Sequence, residues 1–392
     1  FEFNENGKIK DNYEINGFIK DTDLDIFNKH YVNKLNLIFT LKQNDVRLND
    51  IRLSLDGSNF SSEKIHIKNL KNEFVVEGAF KNKKNYLNNK LLGILNRSIS
   101  KEFNIEKVKL SSNNNFSFKV NNKFQFKDFS ITSDIEIDEL LTNNDLGLKV
   151  IFPEIKKKFK FSNHVLNIKY KKNELSIKGK GDFLIQNEND YIDYVLNKKK
   201  ETIFFDSSLR IKKNPLIINI LNYKKDINKE TIIKLKGSKN KNNEIKINKF
   251  SIKEENNTIK IKDLLLDNKL HLINLDNIIL DYLDNEKQKN SLSIVKNNKK
   301  YFVKGLYFNA NSLIDRLLIN DEKQSNIFIN NQLIFIDIKK VRLDKDYELD
   351  NLSGNLTFKD QKLIDGKLIG NFTNNKRLEF TVINDGNSKI TT

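Results

Sequence analysis

Four histidines, His30, His66, His164 and His271, supply all the imidazole in the chain. No pair stands at the i, i+4 spacing that would aim two rings at one metal ion, so imidazole-based metal chemistry has no support. Asp21, Asp23 and Asp25 imitate the first ligands of a calcium loop. The turn glycine and the terminal bidentate glutamate are missing, and the run reads as a solvated turn. Gly179-Lys180-Gly181-Asp182 lacks the third glycine and the following helix of a dinucleotide fingerprint and reads as a strand end. There is no phosphate loop ending in Gly-Lys-Ser/Thr and no Gly-x-Ser-x-Gly elbow. The adjacent Glu254 and Glu255 read as a charged loop rather than a catalytic carboxylate pair. Cysteine is absent, which removes disulfides and thiolate metal sites. The expectation is a protein that is not an enzyme and uses no cofactor and no metal.

The elements that would have to position any chemistry are strands. Apolar and polar residues alternate almost without a break, as in Ile65-His66-Ile67, Phe116-Ser117-Phe118, Leu166-Asn167-Ile168 and Ile259-Lys260-Ile261. This is the period of a sheet with one apolar face. Such a face must be covered by a second sheet, closed into a tube, or given to lipid. Four stretches share a pattern in which a strand ends in glycine: Tyr13 to Gly17, Phe74 to Gly78, Leu175 to Gly179 and Tyr301 to Gly305. Their uneven spacing argues against a strict solenoid. Val165 to Tyr170 and Glu174 to Lys178 form a predicted hairpin, and Asn and Asp are expected to make most turns, including Asn297-Asn298 and Asn374-Asn375. Helix is predicted at Tyr86 to Phe103, from the stripe Leu87, Leu91, Leu92, Leu95, Ile99, and in short pieces at Asn311 to Ile319 and Asp190 to Leu196. The fold class is therefore all-β with a few short helices. Residues 1–392 read as one continuous repetitive region, with Gly237 to Glu244 taken as a hairpin tip and, alternatively, a module seam.

Bulk composition narrows the partners. The hydrophobic fraction is 38% and the charged fraction 31%, so much of the chain must meet water, which suits an elongated shape. A net charge of +17 invites a nucleic-acid reading. Only seven of the 69 basic residues are Arg, the better bidentate partner for phosphate. A solvated lysine face is preferred, followed by a surface drawn to anionic head groups; no nucleic acid is expected. The 28 Phe occupy the same alternating slots as Ile and Leu, Phe159 and Phe161 among them, and so belong to the apolar face rather than to base-stacking platforms. No apolar run approaches the roughly 18 residues that span a bilayer. The chain, which opens on Phe1 and contains no Met, is read as an internal fragment of a longer polypeptide.

Three segments resemble the AsmA-like superfamily of bacterial envelope proteins, its YhdP branch in particular. They are Leu48 to Phe80; Phe302-Val-Lys-Gly-Leu-Tyr-Phe-Asn-Ala-Asn-Ser-Leu-Ile314, with Asn309 where the family usually has Asp; and Leu368 to Val382, similar to a Gly-x-Phe hairpin that precedes the family's C-terminal region. The resemblance implies an elongated, twisted antiparallel β-sheet curled into an open, apolar-lined trough. It implies a periplasmic location, tethering to the inner membrane by an N-terminal helix missing here, and passage of phospholipid between inner and outer membranes. Phospholipid acyl chains are the expected partner, with membranes reached through parts of the chain not present. On this reading the groove is lined by Ile65, Ile67, Phe116, Phe118, Ile135, Ile137, Leu166, Ile168, Leu175, Ile177, Ile245, Ile247, Ile259 and Ile261. The competing expectation is a structural or adhesin-like β-sandwich array with a closed core.

Overall fold

Alternation so sustained yields strand almost everywhere, and the computed structural model is all-β with two short α-helices among the described residues. The described residues are all but 1, 9, 11, 27–29, 71, 99–103, 124, 144–146, 269–270, 319–330, 360–361, 374–375, 385–388 and 392. The proposed turn at Asn374-Asn375 therefore lies outside them. Two compact units emerge: Phe1–Leu146 with Lys156–Ile185 and Tyr191–Lys200, and Gly147–Ile155 with Gln186–Asp190 and Glu201–Thr392. The stretch from Gly237 to Glu244 lies inside the second unit, its first three residues paired in a strand and Asn240 to Glu244 forming the hairpin connection.

The first unit is a meander. Strands β1 (Glu14–Ile26), β2 (His30–Lys42), β3 (Asp45–Leu55), β4 (Ser58–Leu70), β5 (Glu73–Tyr86), β6 (Asn104–Asn121), β7 (Phe126–Asn143), β8 (Lys158–Lys171) and β9 (Glu174–Leu184) pair antiparallel, each with the next. β10 (Asp190–Lys199) adds to β9. β1 pairs only with β2 among the described residues, so the sheet stays open. Helix α1 (Asn89–Ser98) starts where the Asn88 side chain accepts the Leu91 N–H at 2.9 Å, a cap for an otherwise orphaned donor. It is shorter than predicted, because Tyr86 still pairs with Lys109 in the sheet and residues 99–103 lie outside the described set.

The second unit begins with β11 (Thr202–Ile211), and a long return then carries β12 (Ile217–Ile218) and β13 (Tyr223–Lys224), a small ribbon. β14 (Thr231–Lys239) pairs with β11, and β15 (Ile245–Glu254), β16 (Asn257–Leu266), β17 (Leu272–Leu283), β18 (Lys289–Asn297) and β19 (Lys300–Asn309) follow antiparallel. After α2 (Asn311–Leu318), β20 (Gln332–Arg342) joins β19 in parallel. This corrects the expectation of a wholly antiparallel sheet: a helical crossover is what a parallel neighbour requires. β21 (Glu348–Lys359), β22 (Lys362–Phe372), β23 (Arg377–Asn384) and β24 (Lys389–Thr391) complete the sheet antiparallel.

Two further expectations are corrected. Asp190 to Leu196 is strand, not helix: Tyr194 and Leu196 keep the two-residue period, and Tyr194 lies over Gly179 of β9. The glycines at 17, 78, 179 and 305 do not end strands but sit inside β1, β5, β9 and β19. Their reason is contact across the sheet. A Cβ on Gly78 would stand 2.9 Å from Ile65 Cγ1, and one on Gly179 would run into the Tyr194 ring, so each absent side chain makes room for a large neighbour.

Asp and Asn do more than turn the chain. Asp21, Asp128, Asn163 and Asn351 have left-handed φ of 46°, 52°, 47° and 55° inside strands, and each coincides with a register shift. Such bulges bend a strand and sharpen its twist, which curls a sheet. Asp21 is thus a bulge within β1, and Asp23 and Asp25 continue that strand rather than forming a turn. The hairpin from β8 to β9 turns on Lys172 and Asn173, both at positive φ, the conformation of a tight two-residue hairpin.

Candidate functional site

Registers sort the side chains onto faces. Directly opposed residues share a face, and in the first unit one row of opposed residues runs Gly17, Phe39, Leu48, Ile65, Gly78, Phe116, Ile131, Tyr170, Leu175 across nine strands. Ile67, Phe118, Ile135, Ile137, Leu166, Ile168 and Ile177 lie two, four or six residues from members of that row, so all ten predicted positions of this unit fall on one face. In the second unit a row runs Leu235, Phe250, Ile261, Ile278, Ile294, Val303, Ile336, Gly354, Leu368, Phe380 across ten strands. Ile259 is two residues from Ile261, and Ile245 and Ile247 oppose Lys239 and Gly237 of β14, on the face of Leu235. The four predicted positions here also share a face.

How well that face is covered differs along it. Ile137 and Ile259 are packed core at 5% and 4% exposure, whereas the other twelve predicted positions are only half-buried. Ile137 meets Leu92 of α1, Ile105 and Val108. At the same end of the strands Val32, Leu35 and Ile51 form a second cluster. Toward the opposite ends of β6 and β7 the rings of Phe80, Phe116, Phe118 and Phe126 follow one another at centroid distances of 5.3–5.9 Å, and Phe126 is exposed.

In the second unit the most extensive core also lies at one end of the strands. The long return after β11 folds over one end of the strands, where Leu216, Tyr223 and Tyr282 are fully buried with Phe152, Ile252, Ile259, Leu280 and Leu292. Buried polar groups lock this seal. Glu254 accepts from Tyr223 Oη at 3.2 Å, Thr231 Oγ1 at 2.8 Å and the Asp226 N–H at 3.2 Å. Tyr282 Oη donates to the Leu221 carbonyl at 2.7 Å, and Asn309 Nδ2 to Asp284 Oδ2 at 2.8 Å. One row further from the seal, the ten-strand row named above is half-buried throughout.

The inner wall of the first unit is not uniformly apolar. Asn82, Ser112, Asn114 and Ser133 share it. Ser112 Oγ donates to Asn82 Oδ1, and Asn114 Nδ2 donates to Ser112 Oγ at 2.7 Å. Sequence reading missed this belt, since the four residues sit at apolar-face positions with polar identities. It also missed most of the ten-strand row, although the alternation signal is the same there.

The opposite face is wet and paired. In the first unit Asp138 receives Lys84 and Lys109, Glu139 receives Lys107 and Lys160, and Lys119 bridges Glu73 and Asp128. Three histidines also meet carboxylates: His30 with Asp56 at 2.7 Å, His66 with Asp45 at 2.6 Å and His271 with Asp267 at 2.9 Å. His164 is buried against Tyr194, and burial lowers its pKa and pushes the Tyr194 hydroxyl up to about 12. Among the described residues no three His, Cys, Asp or Glu gather as metal ligands, and no helix is long and apolar enough to cross a membrane. No family model, no curated protein and no solved structure matches the chain.

Proposed function

We propose that the apolar face holds lipid acyl chains, and that the chain is a non-enzymatic lipid-carrying groove. The observation behind this reading is the half-burial of a continuous apolar row ten strands long in one unit and of its counterpart nine strands long in the other. Side chains in a sealed sandwich are excluded from water along the whole inner face; here exclusion is complete at the strand ends covered by α1 and by the return after β11 and again at Leu275, Tyr301 and Val382, and in the second unit the half-buried row lies between the two. An acyl chain laid on the remaining rows would be sheltered by about 0.8 kcal/mol per methylene. Sliding along such a wall breaks no directional bond and asks for no reactive residue. The AsmA-like resemblance extends the reading to transfer of phospholipid between the two membranes of an envelope.

The test is photo-crosslinking with an acyl-labelled phospholipid, using a photoreactive residue at Ile168 or Ile261 and, as outward controls, at Lys169 or Lys304. Capture at the inward pair alone is expected. Equal capture at all four, or none at Ile168 and Ile261 together with a lipid-free organic extract by mass spectrometry, would sink the proposal.

A further inference from the structure

We infer that the outer face of β14–β16 is a docking surface for an anionic phospholipid bilayer, a role separate from whatever the inner face carries. Lys236, Lys249 and Lys262 stand directly opposite one another on three successive strands. Lys234 and Lys260 flank them, joined in register through Ser251. Neighbouring strands lie about 5 Å apart, so these ammonium groups are held as a lattice of like charge, an arrangement that destabilises a sheet. Lys236 reaches Asp206 of β11 at 3.3 Å; the other four form no ion pair among the described residues. The contrast with the first unit is direct, because there the outward lysines are interleaved with Asp138, Glu139, Glu73 and Asp128. The second unit neutralises other lysines as well, Lys340 with Glu348 and Lys367 with Glu379 among them, yet leaves four of these five bare. An external polyanion would remove the repulsion.

The chemistry of the patch favours head groups over nucleic acid. It contains no Arg for bidentate phosphate or guanine contacts, the aromatic ring on its three strands, Phe250, lies on the inner face and not among the lysines, and a sheet face has no element to enter a groove. Strongly hydrated lysine point charges suit a fluid surface of phosphodiesters that rearranges around them. Phe204, 44% exposed, opposes Ser238, which opposes Lys246, so it borders the same face with an apolar ring able to enter the head-group layer.

The experiment is co-sedimentation of the full chain with vesicles of phosphatidylcholine alone or mixed with phosphatidylglycerol, at low and high salt. Binding is expected on the mixed vesicles only, and to be lost at high salt. The triple variant K236Q/K249Q/K262Q should weaken it about a hundredfold, taking about 1 kcal/mol for each lysine near an anionic surface. The same variant should unfold in urea at an equal or higher midpoint, since repulsion is relieved. K123Q/K172Q/K200Q, which removes equal charge from hairpin tips, should leave binding intact. Equal loss in the two triple variants, indifference to phosphatidylglycerol, a lowered urea midpoint for the ladder variant, or displacement of the chain from vesicles by a double-stranded oligonucleotide would each overturn the inference. None of these readouts samples the inner face, so failure here and failure of the groove proposal are separately visible.

Discussion

Asp190 is a carboxyl whose burial changes its acid–base chemistry in a predictable direction. It is buried, with Asn214 Nδ2 donating to Oδ2 at 2.8 Å and Oδ1 left without a partner, and burial raises its pKa to about 6. A carboxyl whose folded pKa lies above its unfolded value favours the native state fully below about pH 4, and that contribution is lost as pH rises through about 6. Asp190→Asn should therefore increase stability at neutral pH, on the order of 1–3 kcal/mol, and flatten the dependence between pH 4 and 6. Urea titrations of both proteins across that range would check it; a variant less stable at pH 7.5 would contradict it. Gly179 supplies a second residue-scale prediction. Gly179→Val drives a side chain into the Tyr194 ring and should cost about 1–3 kcal/mol, read from the urea midpoint. The glycine itself was visible in the sequence, but its purpose was not, because the ring that fills its place comes from a strand that the sequence reading made a helix.

Among the elements, strands were legible and their irregularities were not. A two-residue period announces a strand wherever one face is apolar, so the hairpin of β8 and β9 could be located, although its strands run beyond the predicted Val165–Tyr170 and Glu174–Lys178 to Lys158–Lys171 and Glu174–Leu184. An Asp in the middle of such a run looks like any outward polar residue, yet Asp263 takes φ of 51° inside β16, at a gap in the pairing of β16 with β15 and β17. Asp263→Val places a β-branched residue in the left-handed region and should destabilise the second unit by about 1–2 kcal/mol, whereas Asp263→Gly should be tolerated. Denaturation midpoints of the pair would separate backbone strain from loss of a carboxylate. The parallel joint between β19 and β20 escaped the sequence reading for a similar reason: α2 was visible as a short helix, but which strand its exit would join is decided by pairing, not by local pattern. Leu92→Ala tests the docking of α1, where removal of a buried side chain beside Ile105, Val108 and Ile137 should cost about 2–4 kcal/mol.

For the molecule as a whole, the gradient of burial along a single face carries the functional argument. Ile259 and Ile261 are two residues apart on β16 and point the same way, but the first is sealed beneath the return after β11 and the second is half-buried. Ile259→Asp should unfold the second unit, because an uncompensated carboxylate would enter a packed core. Ile261→Asp should fold and lose acyl-chain capture. Circular dichroism combined with the crosslinking readout distinguishes the two; equal unfolding by both substitutions would mean a core closed along its length, as the adhesin-like alternative requires.

Sequence alone determined the class of structure and which residues share a face, since both follow from a period set by the pleat of the backbone. Charge and composition likewise announced that one face would be wet. Only the tertiary structure decided where the apolar face is covered, which lysines meet carboxylates and which meet only each other, and why glycines interrupt strands. Those outcomes depend on register between strands and on a return segment folding over strand ends, contacts between residues far apart in the chain that no local pattern encodes.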